Sequence, residues 1–366
     1  MDSKPQSERK LGETPLRERE EALGASFAEY FDCQMPERFT SFDDEYRIAR
    51  ESIALVDKNY RAFLRFTGPD RERYLNAILT NDVRLAQNGV GVPALLLNVQ
   101  GHILAELEVY AIGDAHLVVS YAMIREKLIA ALDRYIIMDD VTLEDASGQF
   151  GAIGVEGPAT AEVLRDVSGV DLNALAELGR VDSQIASIPV GLVRRSPGNS
   201  PGFECVVDRG RVAELWDVLL ESTRAKGGGP IGYGALNTLR LEAGVPWFGY
   251  DFDESVIPQE AGLENTHVSF SKGCYTGQEI VERVRSRGHV NRMRVGFEFS
   301  GSTLPEQWSK LTAGGKEVGH ITRAGFSPSA GHVIGMGYIR REHSAPGSEV
   351  GYAGGTAKVI ELPVIR

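Results

Sequence analysis

Three features are scarce in this chain: cysteine, long apolar runs and positive charge. The 366 residues include three cysteines, at 33, 205 and 274, which are too few and too far apart for a disulfide framework. No C-x-x-C pair is present, so a self-contained zinc or iron–sulfur site is not expected, and a reducing cytoplasm fits this cysteine usage. No stretch reaches the about 18 apolar residues of a membrane span. The net charge of −12 argues against a nucleic-acid coat, which needs a basic surface.

Length and composition are those of an ordinary globular protein with more than one domain. Hydrophobic residues make up 42% and charged residues 25% of the chain, so a packed core under a polar surface is expected. A length of 366 residues is long for a single core and predicts two or three domains. Residues 1–13 are charged and poor in apolar groups, which predicts a disordered leader without a signal peptide.

Helical and strand patterns follow one another along the chain and predict an α+β protein. Helices are predicted at 16–23, 44–52, 70–79, 124–135, 158–167, 211–226 and 235–243. The apolar residues of segment 92–119 alternate, which predicts a hairpin that turns at Gln100-Gly101 and continues into a third strand. The polar face of this hairpin carries Asn98, Glu106, Glu108 and Tyr110. A strand, a Gly-Pro pair and a helix recur at 62–79 and 150–167, so two similar subdomains are expected.

The later part of the chain predicts a second hairpin and a barrel. Residues 192–207 form the second hairpin pattern, with its turn at 197–199. Cys205 shares a strand face with Phe203 and Val207, which favours core packing for this thiol. After Arg294, short strands separated by regular glycines predict a small antiparallel barrel. Its strands are predicted at 295–299, 318–324, 333–339 and 357–362.

One octet combines a thiol with glycines and a helix start. Its residues are Lys272, Gly273, Cys274, Tyr275, Thr276, Gly277, Gln278 and Glu279. Thr276 and Glu279 have the spacing of a capping box, which predicts that a helix begins close to Cys274. The positive end of that helix and the neighbouring Lys272 would both favour the thiolate form of Cys274. A lone cysteine is more often a small buried apolar residue, so a structural role is the alternative.

The octet resembles the signature of the YgfZ family, folate-binding proteins related to the glycine-cleavage T protein and linked to iron–sulfur cluster maintenance. Further similarities to the T-protein family bring the resemblance to about residues 14–366. They are Thr14-Pro15-Leu16, Leu23-Gly24-Ala25, Arg240–Gly244, Gly319–Thr322 and Gly325–Pro328. The resemblance implies a T-protein-like fold, in which two α+β subdomains surround a central cavity. The corresponding division is a leader at 1–13, a folate-binding region at 14–290 and a C-terminal β-barrel at 291–366.

The resemblance also implies a folate site. The family's catalytic aspartate matches Glu106, whose extra methylene would move the carboxylate by about 1 Å, a shift that reduces catalysis on the order of 10²-fold where orientation matters. The acidic residue that precedes it in the family is Ala105 here. The folate contacts that the resemblance implies are Asn98, Tyr110, Glu204, which would hold the pterin's donor edge, and Arg240. Pro93, Pro197 and Leu236 depart from the family, which has two tyrosines and a folate-facing arginine at these positions.

An arginine row follows the octet in an otherwise acidic chain. It consists of Arg283, Arg285, Arg287, Arg292 and Arg294, with His289 among them. Such a row could hold a polyglutamate tail, a phosphate or an acidic partner, or it could be a solvated linker face. His267 and His289 flank the octet, but a Cys–His nucleophile pair also needs an orienting third group, which the sequence does not reveal.

The resemblance to the YgfZ family implies a folate-binding accessory protein in iron–sulfur cluster assembly or repair. Cys274 and its glycine frame would act with iron–sulfur assembly proteins or client enzymes, and tetrahydrofolate or a derivative is the expected cofactor. A cluster would be bound only transiently and shared, because one cysteine supplies one thiolate and clusters use four. The alternative is a tetrahydrofolate-dependent aminomethyltransferase or demethylase that uses Glu106. In a third, binding-only interpretation, Cys274 is structural and the barrel is a docking surface.

Overall fold

The structure, a computed structural model, describes residues 11–87, 89–196, 198 and 200–365, with only the backbone of Arg287. The helices are α1 (Arg17–Ala22), α2 (Phe42–Glu51), α3 (Arg71–Ile78), α4 (Arg125–Asp133), α5 (Thr160–Ser168), α6 (Val212–Ala225), α7 (Tyr233–Glu242), α8 (Pro258–Ala261), α9 (Glu264–His267) and α10 (Gln278–Arg287). The strands are β1 (Gly12–Glu13), β2 (Ser26–Tyr30), β3 (Cys33–Arg38), β4 (Ala54–Asp57), β5 (Arg61–Thr67), β6 (Val92–Leu97), β7 (Ile103–Ile112), β8 (Ala115–Tyr121), β9 (Thr142–Asp145), β10 (Phe150–Glu156), β11 (Arg180–Ile185), β12 (Ile188–Arg194), β13 (Gly202–Asp208), β14 (Gly229–Pro230), β15 (Arg292–Phe299), β16 (Lys310–Ala313), β17 (Lys316–Ser327), β18 (His332–Arg340), β19 (Glu349–Tyr352) and β20 (Gly355–Ile360).

Two sheets carry most of the chain before residue 290. Within the described residues, one sheet has five strands in the order β6-β7-β8-β5-β9, and the predicted hairpin with its third strand supplies β6, β7 and β8. The other sheet has six strands in the order β11-β12-β13-β10-β4-β14, and the second predicted hairpin supplies β12 and β13. A small sheet, β1-β3-β2, lies beside them. The recurring strand–helix pattern corresponds to β5 with α3 and to β10 with α5.

The two large sheets pack against each other through a small apolar cluster. Phe63, Tyr110, Leu117 and Val119 come from the five-stranded sheet, and Ala152, Val193 and Val206 from the six-stranded sheet. The polar face of the β7 hairpin is therefore covered by protein, and Glu108 is only 6% exposed. Because such carboxylates have lost most of their water, they need protein partners or a ligand.

The end of the predicted leader belongs to the fold. Strand β1, at Gly12–Glu13, pairs in parallel with Cys33 and Gln34 of β3. The hydroxyl group of Thr14 then donates a hydrogen bond to the buried carboxylate of Asp57. Residues 1–10 of the predicted leader lie outside the described residues.

The C-terminal strands close into the predicted antiparallel barrel, in the order β15-β18-β17-β16-β19-β20. Its core includes Phe297, Leu311, Ile321, Val333 and Val359. Sequence patterns reveal four of these strands and miss β16 and β19, because four residues are too few for a recognisable alternation. Since every strand has two neighbours, the barrel leaves no unpaired edge.

The predicted helices correspond to α1 to α7, with ends that differ by a few residues. Sequence periodicity does not reveal α8 and α9, which have four residues each. Helix α9 nevertheless carries two residues that line the cavity described below, Thr266 and His267. In the part of the chain that the structure describes, no helix is long and apolar enough to span a membrane.

Candidate functional site

A cavity of about 350 Å³ lies between the two large sheets. Its polar wall consists of Lys58, Glu106, Glu108, Glu177, Arg195, Ser196, Glu204, Thr266 and His267. Its apolar and aromatic wall consists of Tyr60, Pro93, Tyr121, Leu178, Val245, Pro246, Trp247 and Leu263. Ligand pockets commonly measure about 300–1,000 Å³, so this cavity is sized for one compact ring system.

Glu106 is a carboxylate of this wall that has a protein partner at each of its two oxygens. The hydroxyl group of Tyr121 donates to its Oε2 at 2.7 Å, and Nε2 of His267 lies 3.3 Å from its Oε1. Burial alone would raise the pKa of Glu106, but His267, Arg195 and Tyr121 outweigh that effect and hold the pKa below its usual value. Glu106 is therefore ionised at neutral pH and oriented toward the cavity.

Glu204, the expected pterin-holding residue, also lines the cavity but is paired within the protein. Its Oε1 lies 2.6 Å from Arg61 and 3.4 Å from Arg195, and these cations with Lys58 lower the pKa of Glu204 in spite of its burial. Arg195 also lies 2.7 Å from Glu108. The hydrogen bond and ion pairs that the structure describes for Glu204 all involve Oε1, which leaves Oε2 as the candidate acceptor for a ligand's donor.

The cavity and its immediate surroundings hold more carboxylates than cations. The cations are Lys58, Arg61 and Arg195, and the carboxylates are Glu106, Glu108, Glu156, Glu177 and Glu204. A network of this kind favours a ligand that brings N–H donors or positive charge, because carboxylates accept hydrogen bonds and donate none when ionised. The sequence patterns did not point to Lys58, Arg61 or Arg195.

Glu156 relieves part of this excess by keeping its proton. It is 4% exposed, its Oε1 lies 3.6 Å from Lys58, and Ser196 donates to its Oε2 at 3.3 Å. Burial raises the pKa of Glu156 to about 8, Lys58 opposes this rise, and Glu204 adds to it. Because the pKa is raised above that of the unfolded chain, the stability it contributes is complete below about pH 4.5 and is lost as the pH rises through about 8.

We expect Glu156→Gln to stabilise the protein at pH 8.5 and to leave its stability nearly unchanged at pH 5. The amide side chain stays neutral at both pH values, so the variant avoids ionising a buried carboxyl group beside Glu204. At pH 8.5 the gain in the free energy of unfolding should exceed about 1.4 kcal/mol, the equivalent of one pKa unit. Urea unfolding at the two pH values measures it. Glu126→Gln, on the exposed surface of α4, is the control with the same charge change, and an equal gain there would contradict the burial argument.

The aromatic wall of the cavity is held rigid by stacked rings. Tyr60 stacks on Phe31 at 4.2 Å between ring centroids, and Phe31 contacts Trp247 edge-on at 5.3 Å. Tyr121, the partner of Glu106, lies 5.9 Å from Tyr60 in a stacked arrangement. These rings offer flat, apolar surfaces of the kind that a heteroaromatic ring contacts.

Three of the expected folate contacts lie outside the cavity lining. The side chain of Asn98 accepts from the backbone N–H groups of Gln100 and His102, so it shapes the hairpin turn. Tyr110 is 4% exposed and donates to Glu108 at 2.7 Å. Arg240 is fully buried and pairs with Asp251. Of the departures from the family, Pro93 lines the cavity, Leu236 is buried, and Pro197 lies outside the described residues.

The octet loop contacts the fold through Lys272, Tyr275 and Gly277, while Cys274 is exposed. The ammonium group of Lys272 is buried and donates to the backbone carbonyls of Asn76, Leu79 and Asn81, at the end of α3. It therefore points away from the surface on which Cys274 lies. Cys274 is not one of the described residues that line the cavity.

The predicted capping box is wrong. Helix α10 begins at Gln278 with Gly277 as its N-cap, and no side chain caps it, so Thr276 and Glu279 do not form the reciprocal bonds. Gly277 has a φ of +81°, and a Cβ there would lie 2.6 Å from the carbonyl oxygen of Asn98. The glycine is thus required because the tip of the β6–β7 hairpin packs against this turn.

The arginine row is divided between two environments. Arg294 is held between the barrel and the preceding region, where it donates to the carbonyls of Ala261 and Gly244. Arg292 pairs with Glu260 at 3.2 Å. Arg285 is exposed and stacks on Phe270 at 4.0 Å. The arginines of the row whose side chains the structure describes therefore do not form one continuous positive patch.

Two family models match the chain, and they cover most of it. The GCVT N-terminal domain matches residues 16–272, and the glycine cleavage T-protein C-terminal barrel domain matches residues 292–364. The aminomethyltransferase of Rubrobacter xylanophilus is 31% identical over 333 residues, which are 91% of this chain and 88% of that protein. That of Herpetosiphon aurantiacus is 30% identical over 342 residues, 93% of each chain.

One solved structure is similar to nearly the whole chain. The crystal structure of glycine cleavage system aminomethyltransferase T from Bartonella henselae superposes with a TM-score of 0.87 at 24% sequence identity, and the match covers 97% of this chain and 98% of that one. This likeness confirms the predicted α+β fold with a C-terminal antiparallel barrel.

Proposed function

Because this chain belongs to the glycine cleavage T-protein family, we propose that it transfers a one-carbon unit from an amine to tetrahydrofolate. The observation that carries the proposal is the ionised carboxylate of Glu106, which two partners fix in the wall of the cavity between the sheets. The aminomethyltransferase relatives support this reaction over the accessory role that the octet alone favours.

The residues around the cavity fit the pterin end of a folate. A volume of about 350 Å³ accommodates a compact bicyclic ring and leaves the rest of the molecule to extend outward. Tyr60 and Trp247 would contact the faces of the ring, and Oε2 of Glu204 would accept hydrogen bonds from its N–H edge. Tetrahydrofolate supplies the nitrogen acceptor for the one-carbon unit.

In this proposal Glu106 acts as the general base at the transfer site. Its carboxylate can accept the proton of an amine nitrogen, and the surrounding Tyr121 and His267 keep its geometry fixed while it does so. The excess of carboxylates attracts an amine substrate, which is cationic before it is deprotonated. The aromatic rings beside Glu106 reduce its contact with water, which strengthens these electrostatic interactions.

A second candidate function rests on the exposed position of Cys274. Its thiol lies on the surface, apart from the cavity, where a protein partner could reach it. This supports a folate-binding accessory role in iron–sulfur cluster assembly or repair, of the kind that the octet's resemblance to the YgfZ family implies. The family matches support the T-protein family as a whole and do not single out that branch.

We expect Cys274→Ala to leave one-carbon transfer close to the wild-type rate, because this residue is remote from the cavity lining. The assay mixes the purified protein with tetrahydrofolate and an aminomethyl-loaded carrier protein and measures methylene-tetrahydrofolate. Ser271→Ala, an exposed neighbour, is the matched control.

Two results would change this assignment. Absence of turnover in the wild-type protein, together with low activity of cluster-containing enzymes in a Cys274→Ala strain, would favour the accessory role. Turnover that is lost in Cys274→Ala and kept in the control would place the thiol in the reaction itself.

A further inference from the structure

His267 reaches the cavity from the end of α9 and faces the carboxylate of Glu106. Its Nε2 lies 3.3 Å from Oε1 of Glu106, and the two side chains are 12% and 13% exposed. Its other ring nitrogen, Nδ1, lies 2.7 Å from the hydroxyl oxygen of Thr266. An unprotonated Nε2 and a carboxylate would repel each other as two acceptors, so Nε2 carries a proton when Glu106 is ionised.

We propose that His267 is the positioning residue of Glu106: it donates Nε2–H to Oε1 and keeps the carboxylate ionised and directed into the cavity. Since Tyr121 donates to Oε2, both oxygens are then held, and the carboxylate cannot rotate away from a bound amine. The catalytic meaning of this pair rests on the proposed function, whereas the pair itself is a property of the chain.

The backbone that carries His267 is fastened to the end of α3. The hydroxyl group of Thr80 donates to the carbonyl oxygen of His267 at 2.6 Å. Asn81 donates to the carbonyl oxygen of Thr266 at 3.1 Å, and five residues after His267 the ammonium group of Lys272 binds carbonyls of the same segment. Lys272 of the octet thus anchors the cavity wall, which assigns this residue a role that does not involve Cys274.

The other charged groups around the pair do not replace His267. The titratable side chains that share the cavity with Glu106 and His267, among the described residues, are Lys58, Tyr60, Glu108, Tyr121, Glu177, Arg195 and Glu204. Arg195 lowers the pKa of Glu106 less than His267 does, and it is already paired with Glu108. Removal of His267 therefore leaves Glu106 buried with weaker compensation, and its proton affinity should increase.

The test follows the ionisation of Glu106 directly. Protein labelled with ¹³C at the glutamate carboxyl carbons is titrated by NMR, and Glu106 is identified as the resonance missing from Glu106→Gln. In His267→Leu we expect Glu106 to titrate at a pH about one unit higher than in the wild type. His267→Gln, which keeps an N–H donor without a titrating ring, should lie between them and serves if the leucine variant folds poorly. His289→Leu changes the exposed histidine beyond the octet and is the control.

The NMR titration of Glu106 tests this inference, and the rate of one-carbon transfer tests the proposed function, so the two can fail independently. Equal titration of Glu106 in the wild type and in both His267 variants would overturn the inference, even if one-carbon transfer were observed. A shifted titration without any turnover would leave the pairing intact and reject the proposed reaction. If the titration is shifted and one-carbon transfer is also observed, the acidic limb of the kcat–pH profile in the His267 variants should shift by the same amount as the titration of Glu106. Loss of packing alone would not produce this shift.

Discussion

Glu106→Gln is expected to reduce kcat for one-carbon transfer on the order of 10²–10⁴-fold, the contribution of a positioned acid or base. The amide is nearly the same size as the carboxylate and can still accept from Tyr121, so the cavity should keep its shape. The amide side chain loses the ability to accept a proton and the electrostatic attraction to His267. We therefore expect the affinity for tetrahydrofolate, measured by equilibrium titration of its fluorescence or heat of binding, to change far less than kcat.

Two further variants test whether position or charge is responsible. Glu177→Gln removes one negative charge from the cavity wall and should leave kcat near the wild-type value. Glu106→Asp keeps the charge but withdraws the carboxylate from Tyr121 and His267, so it should also lose activity, by about 10²-fold if orientation dominates. Equal losses in the Glu106→Gln and Glu177→Gln proteins would show that the rate follows the charge of the cavity rather than the placement of Glu106.

The local pattern of the sequence predicts the elements well and the cavity only in part. The alternation from Val92 to Val119 is strong enough to predict β6, β7 and β8, and it places Glu106 and Glu108 on one face. It does not show that a second sheet covers that face, because sheet packing depends on residues far apart in the chain. One signal was available: Arg61 shares a strand face with the buried Phe63, which is unusual for a charged residue unless it has a partner.

The octet illustrates a different limit. Its sequence contains the spacing of a capping box and a lysine close to a cysteine, and both patterns predict local effects on Cys274. In the fold, Gly277 makes room for the hairpin turn at Asn98, and Lys272 binds the end of α3, so both residues serve contacts more than 170 residues away in sequence. The spacing of residues along the sequence does not distinguish a residue that affects its neighbour from one that binds a distant segment of the chain.

Arg240→Met is expected to destabilise the protein by about 3–5 kcal/mol, because it leaves a carboxylate buried without its cation. Arg240 and Asp251 are both fully buried and paired, and Arg240 also binds the side chain of Asn237. Asp251 in turn accepts from the backbone N–H of Trp247 and from the hydroxyl group of Thr322 in the barrel. One ion pair thus joins α7, the cavity wall and the barrel.

Variants of Arg240 distinguish two roles for this residue: support of the cavity wall and direct contact with folate. If Arg240 acts through Trp247, over whose ring its guanidinium group lies at 4.6 Å, Arg240→Met should lower the urea midpoint, and affinity should fall only as the fold loosens. Arg240→Lys keeps the charge without the planar fork and should lose less stability. Asp251→Asn combined with Arg240→Met should recover part of the loss, since no charge is then left unpaired. A stable Arg240→Met protein with much weaker folate binding would instead show that Arg240 contacts the ligand, as the family resemblance implies.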